Sequence, residues 1–111
     1  MKPVPGTGAV IAAVFDTIEQ RKQVMPPKSY VATLLREGTS AIACKMAEET
    51  GEVIKAAREQ SADALTKELC DLLFHALVLM ADKDISLFDL ETELGRRHGL
   101  SGLDEKAARK R

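Results

Sequence analysis

Between Leu69 and Ala81 only Asp71 and His75 are strongly polar. A segment of that length and composition exceeds the usual reach of a strand and reads as a helix buried on most of its sides. The pattern extends from about Ala62 to Asp82. A chain of 111 residues is one domain by length, residues 1–111, and offers few neighbours to cover such a helix. A second copy of the chain is therefore expected to cover one face, giving a homodimer. The run falls short of the roughly 18 apolar residues that a membrane span requires.

The remaining segments arrange themselves around this one. Residues 1–8 contain Pro3, Pro5, Gly6 and Gly8 and read as a loose leader. Val10, Ile11, Val14, Phe15 and Ile18 recur at helical spacing to about Lys22, where Met25-Pro26-Pro27 breaks the pattern. Ser29 is placed to cap a short helix with an apolar face of Tyr30, Val31, Leu34 and Leu35, ended by Gly38. A third helix runs from about Ser40 to Gln60 on the stripe Ile42, Met46, Val53 and Ala57. Gly51 lies inside it, where glycine costs about 1 kcal/mol against alanine. The close approach of another helix, or room left beside neighbouring carboxylates, would account for it. Ser86-x-x-Asp89 reads as a capping box for a fifth helix, and Ser101-x-x-Asp104 as a last one before a basic tail at residues 106–111. No strand pattern survives, so the expected architecture is an all-α antiparallel bundle of about five helices, completed by dimerisation.

Composition narrows the function. A net charge of -1 gives no field for nucleic acid or a membrane surface. Cys44 and Cys70 stand singly in helical patterns, which suits small buried thiols in a reducing cytosol rather than a disulfide scaffold. Asp16, Glu19, Arg21 and Lys22 follow the apolar stretch 9–15 at once, so no secretory signal is read and the expected location is cytoplasmic.

The chemistry is expected in two acidic clusters on consecutive helices, Glu48-Glu49-x-x-Glu52 and Glu68-x-x-Asp71. Residues three and four apart share a helix face, so each cluster projects its carboxylates in one direction. Surface helices are often acidic, and a solvated face is the ordinary explanation of three glutamates. Against it, like charges at these spacings each destabilise a helix by roughly 0.2–0.5 kcal/mol. An unpaired Asp71 inside an apolar helix would also be costly. A cation, His75 or Lys45 would satisfy it. Five oxygen donors suit hard Mg²⁺, with Mn²⁺ able to substitute. Zinc lacks its usual ligands, since only His75 and His98 are available. A di-iron bundle would want Glu-x-x-His on two helices, where the second cluster here is Glu-x-x-Asp. His75 fits better as a core histidine bonded to Asp71 than as a ligand.

The same residues resemble the metal-binding signature of the all-α NTP pyrophosphohydrolase superfamily. Arg21-Lys22, Pro27, Ser29-Tyr30, Leu34-Leu35, the run Asp71–His75, Leu77-Val78-Leu79 and above all Arg97–Lys106 resemble the phosphoribosyl-ATP pyrophosphohydrolases, over about residues 10–109. The chain departs from that pattern at Ala47 and Thr50-Gly51, positions that bear on helix packing rather than on any ligand. The resemblance implies hydrolysis of phosphoribosyl-ATP to phosphoribosyl-AMP and pyrophosphate, the second step of histidine biosynthesis, by a stand-alone form without a fused cyclohydrolase domain. Metal would then be held by Glu48, Glu49, Glu52, Glu68 and Asp71, with Glu48 or Glu49 activating water. Lys45 is either a helix salt bridge or a phosphate contact, and Arg97 and Lys106 flank a helix start suited to phosphate. The rivals are a housecleaning pyrophosphohydrolase acting on free nucleotides and a helical dimerisation module without catalysis.

Overall fold

A computed structural model describes residues 2–59 and 61–98. It contains five helices: α1 (Ala9–Val24), α2 (Tyr30–Glu37), α3 (Thr39–Glu59), α4 (Ala62–Asp82) and α5 (Leu87–Arg97). Among the described residues there is no strand, and no helix is long and apolar enough to cross a membrane. The cap expected at Ser101-x-x-Asp104 lies outside the described residues.

Local chemistry sets the helix ends. Ser29 Oγ accepts from the Ala32 amide at 3.1 Å and Ser61 Oγ from the Ala64 amide at 3.2 Å, each filling an orphan donor of a first turn. Ser86 and Asp89 form the expected reciprocal capping box, with both bonds at 3.0 Å. At its far end α2 stops at Gly38, whose φ of 98° only glycine adopts without strain. Helix α4 ends with the Ile85 amide reaching back to the Met80 carbonyl at 2.9 Å, around Asp84 in the left-handed conformation (φ 58°).

Helices α3 and α4 make the most extensive contact in the molecule and are joined through residues 60 and 61. So short a connection makes them antiparallel. The Thr39 hydroxyl, at the start of α3, donates to Asp82 Oδ2 at the end of α4 at 2.6 Å, which fixes their register. Phe15, Ile18, Val31, Leu34, Ile42, Leu77, Val78 and Ala81 form the core, which draws on the C-terminal half of α4. Lys22 near the end of α1 bonds the Ala81 carbonyl at 2.6 Å, and Val10 and Ile11 face Cys70 and Leu73. Helix α1 therefore runs alongside α4 in the same sense.

Several expectations change at this level. Ala56 rather than Ala57 is the buried alanine of α3, because Ala57 falls on the outer edge of the stripe. Cys44 and Cys70 are exposed, since neither position turns toward the core. Tyr30 is 49% exposed despite opening the apolar face of α2. A Cβ on Gly51 would meet nothing within 4 Å, so neither helix packing nor crowding by carboxylates within this chain explains that glycine. Asp71 is exposed, so the cost of burial does not apply to it in the single chain.

Candidate metal centre

The antiparallel register of α3 and α4 brings their acidic faces together. Oxygens of Glu49, from α3, and of Glu68 and Asp71, from α4, all lie within 4.8 Å of one another. Glu49 and Glu68 are half-buried and Asp71 is exposed. Partial burial first, then the charges of Asp71, Glu52 and Glu49, pushes the Glu68 carboxyl above its usual range. Glu52 thus contributes to the negative field at Glu68 although it stands outside the close trio.

Glu48 lies outside the trio and pairs with Lys45. The ammonium of Lys45 lies 3.3 Å from Glu48 Oε2, an i,i+3 pair on the exposed side of α3. Lys45 is held above its ordinary value by the hydrogen bond and charge of Glu48, and next by Tyr30. Arg97 binds Glu93 one turn earlier, with Nε donating to Oε1 at 2.9 Å, and Arg96 shares the same carboxylate. These two guanidiniums hold Glu93 at about 2. Lys106 lies outside the described residues. The structure therefore gathers Glu49, Glu68 and Asp71, keeps Glu52 near, and engages Glu48, Lys45 and Arg97 in ion pairs.

The trio suits a hard divalent ion. Oxygens bound to Mg²⁺ sit about 2.1 Å from it, so opposite ligands are separated by about 4.2 Å. The three oxygens, all within 4.8 Å of one another, are already on that scale. All three donors are carboxylate oxygens, and neither a histidine nor a thiol joins them.

One neighbouring arrangement was only half legible in sequence. His75 is 6% exposed and the sole buried polar side chain among the described residues. Its Nδ1 lies 2.8 Å from the main-chain oxygen of Asp71, not from the carboxylate that sequence reasoning assigned to it. Its Nε2 lies 2.9 Å from the Tyr30 hydroxyl, a partner no spacing rule connects. Lys22, which clasps α1 to the end of α4, was likewise unassigned from sequence alone.

The molecule is thus of the class of small helical bundles in which two antiparallel helices turn carboxylates toward one point. The sequence profile described as phosphoribosyl-ATP pyrophosphohydrolase matches residues 11–98. The phosphoribosyl-ATP pyrophosphatase of Neisseria meningitidis serogroup B is 46% identical over 101 residues, covering 91% of this chain and 94% of that protein. The proteins of the same name from Chromobacterium violaceum and Vesicomyosocius okutanii are similar too. The former is 42% identical over 104 residues (94% of this chain, 96% of that one). The latter is 48% identical over 100 residues (90% and 95%). The chain belongs to the phosphoribosyl-ATP pyrophosphohydrolase family, a family of hydrolases.

Proposed function

We propose that this chain hydrolyses phosphoribosyl-ATP to phosphoribosyl-AMP and pyrophosphate, the second step of histidine biosynthesis, in the cytoplasm. The observation that carries the reading is the convergence of Glu49, Glu68 and Asp71 within 4.8 Å, in a chain whose relatives bear that enzyme name. Glu49, Glu68 and Asp71, with Glu52 beside them, would hold Mg²⁺, and Mn²⁺ could substitute. When bound, such an ion neutralises charge on the triphosphate and lowers the cost of forming a hydroxide-like nucleophile.

The chain's own groups carry the remaining work. Glu48 stands outside the trio and is paired with Lys45, so it becomes the base that takes a proton from the attacking water once Lys45 turns to the substrate's phosphates. Glu49 is the alternative base. The water oxygen bonds to the phosphorus as that atom's bond to the departing pyrophosphate oxygen breaks, and the proton passes from the carboxylate to solvent. Lys45, Arg97 and Lys106 are the cations assigned to the substrate's phosphates. Lys45 stands one turn before Glu48 and Glu49, while Arg97 would exchange part of its bonding to Glu93 for a phosphate.

A homodimer completes the bundle in this reading. Val10 and Ile11 of α1 and Leu73 of α4 are exposed around a groove of about 370 Å³, and Leu69 beside it is exposed too. A contiguous apolar surface of this kind is characteristic of an association site. Helix α5 adds exposed Phe88, Leu90 and Leu94.

Pyrophosphate release from phosphoribosyl-ATP, compared with a panel of free nucleoside triphosphates, tests the assignment. Faster turnover of a free nucleotide would replace it with the housecleaning activity. The absence of any turnover, and of any Mg²⁺ or Mn²⁺ effect on melting, would leave a dimerisation module.

A further inference from the structure

We propose that Tyr30, acting through His75, is a positioning residue for the Asp71 carboxylate. The inference rests on the metal-site reading above and extends it to groups outside the acidic clusters.

The Asp71 carbonyl can only accept, so the hydrogen on His75 Nδ1 points at it across 2.8 Å. In a neutral imidazole Nε2 is then the acceptor, and the Tyr30 hydroxyl donates to it across 2.9 Å. The relay runs from the first residue of α2 through a buried ring to the main chain of Asp71, the residue whose carboxylate meets Glu49 and Glu68.

The ring of His75 has little freedom. It stands edge-on to Tyr30 at 5.8 Å between centroids and edge-on to Phe74 at 5.4 Å. Tyr30 and Phe74 in turn stack at 6.3 Å with 19° between their planes. These contacts brace the turn 71–75 of α4. Asp71 itself is exposed, and the carboxylates of Glu49 and Glu68 stand beside its own. Partners of this kind orient the groups that bind a metal, and their loss typically lowers metal affinity by about 10–100-fold.

Mn²⁺ serves as the probe, titrated into the full chain and followed both by water proton relaxation and by thermal melting. Tyr30→Phe keeps the ring that stacks on Phe74 and removes only the hydroxyl. It is expected to raise the half-saturating Mn²⁺ concentration about tenfold. His75→Phe, which removes both bonds, should shift it at least as far, and serves if Tyr30→Phe melts too early to titrate. Ser29→Ala is the control, since it weakens the α2 cap while leaving the relay intact. It should lower the metal-free melting temperature and leave the Mn²⁺ midpoint unchanged. If Tyr30→Phe and His75→Phe behave like Ser29→Ala while the wild type binds Mn²⁺, the pair merely satisfies a buried ring and this inference fails alone. A wild type that binds no Mn²⁺ overturns it together with the metal centre.

Discussion

Replacing Lys22 with Met removes an ammonium that ties α1 to the end of α4. Lys22 Nζ donates to the Ala81 carbonyl at 2.6 Å and also bonds the Asp84 carboxylate. Ala81 is fully buried, so little water is available to replace the lost donor. Hydrogen bonds from charged donors contribute about 1.5–3 kcal/mol. The Ala81 carbonyl keeps a long bond from the Asp84 amide at 3.3 Å, which favours the lower part of that range. The Asp84 carboxylate is largely exposed, and pairs of that kind add little. A loss of about 2 kcal/mol follows, with the methylene packing retained by Met. Taking an unfolding entropy of about 2.1 cal/mol/K per residue over 111 residues, the melting temperature should fall by about 9 °C. Scanning calorimetry at fixed protein concentration measures it.

The pH dependence sharpens that test. The bond to Lys22 holds Asp84 below its usual 3.8, and the same bond holds Lys22 above 10.5. A depressed carboxylate contributes stability above its unfolded value, lost as pH falls through the folded one. A raised lysine contributes below its unfolded value, and that contribution is lost as pH rises through the folded one. The gap between wild type and Lys22→Met should therefore stay level between about pH 5 and 9, narrow only slightly at acid pH as the small Asp84 contribution is lost, and close as pH rises through the raised Lys22 value. A fall in melting temperature under about 3 °C, or a gap that persists unchanged at high pH, would refute the reasoning.

Three further outcomes follow from the same geometry. Gly51→Ala meets open space inside a helix and should raise stability by about 1 kcal/mol, roughly 4 °C, by calorimetry; a loss instead would mean that a second chain packs against that position. Glu68 holds its proton to higher pH than an ordinary carboxylate, so its contribution to metal-free stability is lost as pH rises from its unfolded value of 4.5 through the raised one. The Mn²⁺-induced rise in melting temperature should grow over that same interval, and a rise independent of pH would contradict it. Glu52→Gln should abolish pyrophosphate release while leaving melting unchanged or higher, because it removes a like charge from the field at Glu68; a collapsed melting temperature would make Glu52 structural.

Much of the scaffold could be read from residue order. The caps at Ser29 and Ser86, the stop at Gly38 and the apolar run of α4 are local effects, acting within a turn or two of the backbone. The acidic clusters were legible for the same reason, since i,i+3 spacing determines which carboxylates share a face. Depth was not legible. Ala56 and Ala57 differ by a 100° rotation, and only the angle at which α3 meets α4 decides which is buried. Asp71 looked buried because its helix is apolar, yet its own face is open in the single chain.

The order of residues by itself determined that this chain is helical, where most helices begin and end, and which acids share a side of each rod. These follow from short-range hydrogen bonding and from a period of 3.6. Tertiary structure alone decided that Glu49 meets Glu68 and Asp71, and that Tyr30 reaches His75 across 45 positions of chain. Those meetings depend on the register of α3 against α4 and on the seating of α2, which arise from packing the shared core and from no local preference of the residues concerned.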